Sequence, residues 1–290
     1  MIETPVLFGP ERNLLGILAS PAATEPAAPI ACLLLNVGVT HRVGPRRLNV
    51  KLARRLALAG IPSLRLDLSG IGDSTPADSR TNFHEQSIRD LQAAMDWLES
   101  NIGIRRFVVL GICSGAVNGY WLAQEDARVV GLLMFDGFTF PTFKTQLVHD
   151  WHRLRTTPIR AVIAKAIGRV KRLCGITTPA TATSIFNAVS DARRPTTGEI
   201  KLVLASLVER GVSLYLIYSG SLLLYHNYAG QLADAFEGAS FLEHVRYDYF
   251  PDVDHIATPL SAQQKVLSTV CDWVLSVAAT LVAQPLRFKG

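Results

Sequence analysis

Residues 107–119 read FVVLGICSGAVNG, and this stretch decides the fold. A short apolar run, FVVL, is followed by a turn with glycine at 111 and 115. A helix-forming segment, GAVNGYWLAQ, comes next. An apolar run of this length bounded by turn residues reads as a buried strand. Strand, tight turn and helix together thrust the middle residue, Cys113, above the sheet edge at a helix N-terminus, where the helix dipole favours an anion. The glycines are steric requirements, because the neighbouring backbone passes close by. A plain reading, a buried cysteine on a glycine-rich turn, stands beside the catalytic one.

Outward from this turn the chain alternates. IACLLLN (30–36), PSLRLDL (62–68) and ARVVGLLMF (127–135) are apolar strand segments. Between them lies a helix over 46–59, marked by Leu48, Leu52 and Leu56. A second helix is marked by Ile88, Leu91, Met95 and Leu98, with Asn82 and Glu85 at its start. Upstream, TPVLFG and LLGILAS form two short strands joined at Pro10–Asn13. Downstream, SLYLIYSG, AGQLADAF, VRYDYF and a helix near 261–280 resume the pattern. Apolar strands alternating with helices mean an α/β fold, with a mostly parallel central sheet covered by helices on both faces. Residues 138–210 hold no clear strand and many cations. They are read as a helical lid inserted into a core made of 1–137 and 211–290.

Composition narrows the classes. The chain has 290 residues, 49% hydrophobic and 18% charged, which suits a large core and not a disordered segment. Net charge is +5. No zinc-finger spacing, RNP-type motif or basic arm accompanies it, so nucleic acid is not an expected partner. IACLLLNVGV and LYLIYSGSLLLY fall short of the roughly 20 residues that cross a bilayer, so no membrane span is expected. MIETPVLFG lacks the basic and apolar regions of a cleaved signal. Cys32, Cys113, Cys174 and Cys271 are scattered, which suggests reduced thiols and a cytoplasmic setting. No ligand cluster for a metal and no nucleotide loop is present, since GIGDS lacks the Lys-Ser/Thr ending; no cofactor is expected.

One further segment matters. FPDVDH ends in His255, on a loop after the last strand and before the last helix, from which an imidazole can swing over the turn at Cys113. Together with LLLNVGVTHRVGP, LRLDLSGIGDS and VVLGICSGA, it makes the chain resemble the α/β-hydrolase superfamily, in its serine-aminopeptidase-like and thioesterase-like branch, with cysteine at the nucleophile elbow. The resemblance spans nearly the whole chain, and LDLSGIGDS matches the D-x-x-G-x-G-x-S loop of that fold.

The resemblance implies roles. Cys113 is the nucleophile, and His255 acts as base and then acid. The oxyanion hole takes the N–H of Ser114 and a second donor from the loop after LLLN, Val39 first and Gly38 next. The family's usual acid follows the strand matching SLYLIYSG, yet Ser219-Gly220-Ser221 carries no carboxylate there. Asp136 is the expected substitute, preserving the order nucleophile, acid, histidine; Asp-Gly is also an ordinary turn pair. A thiol ionises more readily than a hydroxyl, which relaxes the demand on the acid and opens thioester chemistry.

The expected activity is hydrolysis or acyl transfer on an ester or thioester through an acyl-Cys intermediate. The alternative is a catalytically reduced homologue that binds an acyl ligand or a partner protein. A dienelactone-type hydrolase shares the cysteine but lacks recognisable substrate residues. Phe138, Phe140 and Trp151, with Phe143 and Ile159, are candidates for a substrate pocket or for a small lid core. Lys144, Arg153, Arg155, Arg160, Lys165, Arg169, Lys171 and Arg172 read equally as a solvated face or as a dock for a substrate borne on coenzyme A or a carrier protein. A homodimer stays open.

Overall fold

The computed structural model describes residues 1–22, 28–77, 81–156 and 195–283. Eight strands form one sheet in the order β1-β2-β4-β3-β5-β6-β7-β8. They are β1 (Ile2–Phe8), β2 (Leu14–Ser20), β3 (Ala31–Leu34), β4 (Ser63–Leu66), β5 (Phe107–Ile112), β6 (Val129–Phe135), β7 (Ser213–Ser219) and β8 (Val245–Phe250). β1 pairs antiparallel with β2, and β2 antiparallel with β4; every later pairing is parallel.

The strand sequences explain the layers. In β3, Ala31 and Leu33 point to one face, and Cys32 and Leu34 to the other; Phe107 and Val109 against Val108 and Leu110 repeat this in β5. With a side-chain period of two, a strand buried on both faces reads as a near-continuous apolar run, as β3 and β5 do. One face is covered by α2 (Phe83–Ile102), α3 (Ser114–Glu125) and α5 (Thr197–Glu209), the other by α1 (Leu48–Leu58) and α7 (Leu260–Ala283). The Asn82 side chain caps α2, accepting the Glu85 N–H at 2.9 Å.

Two sequence expectations shift. The helix α5 falls inside the stretch read as a lid, yet Ile200, Leu204 and Leu207 enter the core beside β6 and β7. It is the crossover helix between those strands, for which a parallel connection calls. The stretch also contains α4 (Phe143–Thr156); residues 157–194, where most of the lid reading falls, lie outside the described residues. The second shift concerns α7, whose length and apolar composition would suffice to cross a membrane. The sequence reading weighed only the runs at 30–39 and 214–225 and passed over it. Val266, Val270, Trp273, Val274 and Val277 of α7 pack into the core, with the Trp273 ring 5.5 Å from that of Tyr215. Each such fully buried side chain contributes roughly 1.5–3 kcal/mol.

Candidate active site

β5, β6 and β7 run parallel and end together, which lines up the residues just beyond them. The Cys113 N–H donates to Phe135 O at 2.8 Å, and the Asp136 N–H donates to Ile217 O at 2.9 Å. The ladder thus continues one step past each strand. Cys113, Asp136 and Ser219 stand side by side at the carboxyl edge of the sheet, where open α/β sheets bind ligands.

Cys113 has φ 56° and ψ −118°, a backbone conformation that side-chain-bearing residues rarely hold. Such strain costs about 1–3 kcal/mol and persists only where the surroundings impose it. Here the two glycines impose it. A Cβ on Gly111 would lie 2.4 Å from the Gly115 backbone, and one on Gly115 would lie 2.5 Å from Asn36 O. The α3 helix therefore sits directly on the loop after β3. Gly115→Ala is expected to destabilise the fold by about 1–3 kcal/mol through overpacking, read as a lower urea midpoint; an unchanged midpoint would mean that this contact can yield.

Asp136 is the acid that meets the histidine. Its carboxylate is fully buried, and His255 Nδ1–H donates to Oδ2 at 2.7 Å. Ser219 holds both oxygens: its N–H donates to Oδ1 at 2.8 Å and its hydroxyl to Oδ2 at 2.6 Å. The serine occupies the place where the family resemblance led us to look for a carboxylate, and it serves the carboxylate on the next strand. Ser221 completes the arrangement, its Oγ accepting the His255 backbone N–H at 3.0 Å. Sequence reading had passed over both serines, because nothing in SGS shows where the hydroxyls point. Asp252 and Asp254 behave as loop residues: Asp252 pairs with Lys265 at 2.8 Å, and Asp254 accepts the Ile256 and Thr258 N–H groups.

The His255 side chain is 30% exposed. Its hydrogen bond to Asp136, then that to the Cys113 side chain, outweigh the cost of burial and push its pKa up to about 10. The raised pKa means that the charged imidazole is favoured beside the buried Asp136 carboxylate. The stability this supplies is fully present below the unfolded histidine value, near 6.5, and fades as pH rises to about 10. The urea midpoint of the wild type should exceed that of His255→Ala most at pH 6 and least at pH 10. A gap that widens toward pH 10 contradicts the assignment.

The loop after β3, where the sequence places oxyanion donors, is held from beneath. Asn36 Nδ2–H groups donate to Thr40 O at 3.0 Å and to Asp67 Oδ1 at 3.2 Å, and Asn36 Oδ1 accepts the Leu68 N–H at 3.0 Å. Asp67 is fully buried and pairs with Arg42, which also pairs with Asp73 at 2.7 Å. The glycine pattern after Asp67 follows from this packing, since a Cβ on Gly72 would lie 2.3 Å from Asp67 Oδ2. The turn Val37–Thr40 is closed by the Thr40 N–H to Val37 O at 3.0 Å. Gly38 has φ 56°, and its N–H donates to the Ser114 hydroxyl at 2.7 Å. Val39 is 82% exposed, and its N–H has no protein acceptor among the described residues. The Ser114 N–H is in the first turn of α3, where helical N–H groups lack partners within the helix.

The candidate pocket residues are not gathered in one place. Phe140 is 3% exposed and packs edge-on against Phe236 at 4.6 Å, as core. Phe138 leans on Tyr120 at 4.8 Å, and Trp151 is exposed on α4. Among the cations, Lys144 pairs with Asp234 at 3.4 Å, and it lends the docking idea no support. The Arg153 and Arg155 side chains, Ile159, Arg160, Lys165, Arg169, Lys171, Arg172 and Cys174 lie outside the described residues. His226 is buried and stacked on Tyr218 at 3.8 Å; burial drives its pKa down to about 4.

Comparison with known proteins bears on the fold and the family. The chain resembles solved structures at low identity. A serine hydrolase without lid from Xanthomonas campestris is 12% identical, with TM-score 0.54 and coverage of 98% of this chain and 96% of the other. Est1E from Butyrivibrio proteoclasticus is 12% identical, with TM-score 0.56, covering 95% and 99%. A putative lipase from Acinetobacter baumannii is 13% identical, with TM-score 0.60, covering 96% and 92%. At such identities the likeness concerns the fold. No curated protein matches the sequence. A model of the alpha/beta hydrolase family matches residues 38–269, which hold the turn at Cys113 and the Asp136–His255 pair. The chain belongs to the alpha/beta hydrolase family.

Proposed function

We propose that the protein cleaves an ester or thioester through an acyl intermediate on Cys113, with His255 and Asp136 completing the triad and water or a second nucleophile taking the acyl group. The observation that carries this reading is the His255 Nδ1–H bond to the buried Asp136 carboxylate at 2.7 Å, on the sheet edge where Cys113 stands, which with Cys113 raises the imidazole pKa and favours its charged form. An imidazolium cannot take a proton from a serine hydroxyl. Beside a thiol it stabilises the thiolate, the form that attacks. Cysteine at the elbow is thus chemically consistent with the histidine it faces.

In the first step the Cys113 thiolate attacks the acyl carbonyl carbon. The oxyanion that forms is stabilised by donors at the α3 N-terminus and the Val37–Thr40 turn. The bond to the leaving group breaks, and His255 gives its proton to the departing alkoxide or thiolate. Neutral His255 then takes a proton from water as that water attacks the thioester. The C–S bond breaks, the acid leaves, and the imidazolium–thiolate pair is restored.

The Asp136–His255 hydrogen bond favours this over the ligand-binding alternative, whose main support was a missing acid. The test is intact mass after acid quench with an activated acyl ester and with an acyl thioester. One acyl adduct, lost on Cys113→Ala, is expected; no adduct from either donor overturns the reading.

A further inference from the structure

The Gly38 N–H, one of the two backbone donors considered for the loop side of the oxyanion hole, is already committed. It donates to Ser114 Oγ at 2.7 Å, and the turn that carries it is closed by its own backbone bond and braced by Asn36. A hydroxyl has one proton to give and two lone pairs that accept. One lone pair of Ser114 takes the Gly38 N–H. The hydroxyl proton has no acceptor among the described residues. The same residue also carries the N–H that opens α3, directly after Cys113.

The geometry points to the Ser114 hydroxyl as an oxyanion donor in its own right, accepting from Gly38 on one side and donating to the substrate oxygen on the other. An oxygen within reach of the Ser114 N–H stands next to the hydroxyl of the same residue. Accepting the Gly38 N–H polarises that hydroxyl and makes it a stronger donor. No bond is made or broken at Ser114, and its proton stays on its oxygen. The hole then has the Ser114 N–H, the Ser114 O–H and, on the turn, the unpartnered Val39 N–H. This inference rests on the acyl chemistry proposed above.

A hydroxyl that only buttressed the turn would affect every reaction at Cys113. An oxyanion donor matters only where negative charge develops on an oxygen. Two reactions separate these roles. Acylation by p-nitrophenyl acetate passes through an oxyanion; alkylation by iodoacetamide displaces iodide and does not. In Ser114→Ala, acylation should slow by about 10²–10³-fold, the range for losing one such donor. Alkylation should stay within about twofold of wild type, and Ser114→Thr should recover most of the acylation rate. Ser114→Gly serves as a second hydroxyl-free variant should the alanine protein fail to fold. Acylation at the wild-type rate, or equal loss of both reactions, overturns the donor role and leaves the acyl chemistry standing. A wild-type protein that alkylates but never acylates overturns the acyl reading, and this inference with it.

Discussion

Cys113→Ala lowers turnover of an activated ester by on the order of 10⁶-fold, the scale seen when a nucleophile is removed from an assembled triad. Cys113→Ser is the more informative change. Serine must lose its proton as it attacks, so it needs a neutral imidazole; in this variant the contribution of Cys113 to the raised His255 pKa is lost, while the larger one from the Asp136 hydrogen bond remains. Activity of the serine variant should therefore be low at pH 7 and climb as pH rises. The wild type should show a weaker climb, because a thiol gives up its proton more readily than a hydroxyl. A serine variant as active as wild type at neutral pH, with a flat profile, would remove the argument for an imidazolium-paired thiolate.

Asp136→Asn should cost on the order of 10³-fold in turnover, within the range of about 10⁴ known for the loss of a triad acid that orients a histidine. Two effects combine. The hydrogen bond that contributes most to raising the His255 pKa goes, so the imidazole is no longer kept charged. The amide also presents N–H donors where the Ser219 hydroxyl and His255 Nδ1 both need an acceptor. Ser219→Asp in this background should recover part of the loss. Ser219 Oγ lies 2.6 Å from Asp136 Oδ2, so a carboxylate there stands beside the same imidazole. Full activity of Asp136→Asn would mean that the histidine is oriented by something else.

The trail from sequence to site was uneven for physical reasons. The elbow was legible because its requirement is steric and local. Only glycine tolerates backbone at 2.4–2.5 Å from where a Cβ would stand. The central strands β3, β5 and β6 were legible because burial on both faces favours a near-continuous apolar run. His255 could be placed because the loop after the last strand ends at the same sheet edge. Asp136 was singled out by chain order among several carboxylates with a turn role available, and its hydrogen bond to His255 depends on parallel pairing. The ladder step from Asp136 N–H to Ile217 O sets β6 beside β7 and brings Ser219 against the carboxylate. The pocket assignments were weakest, because a phenylalanine reads the same in a core and in a pocket: Phe140 turned inward onto Phe236.

By itself the sequence determined the α/β alternation, the strained turn at Cys113 and the loop carrying His255, since each depends on side-chain period, glycine sterics or chain order. The tertiary structure decided which acid serves that histidine, that Ser219 and Ser221 hold the pair in place, and that the Ser114 hydroxyl takes up the Gly38 N–H. These depend on atoms from segments 34 to 119 residues apart meeting within hydrogen-bond distance. Such meetings are set by the packing of whole strands, and no local pattern encodes the direction of a single hydroxyl.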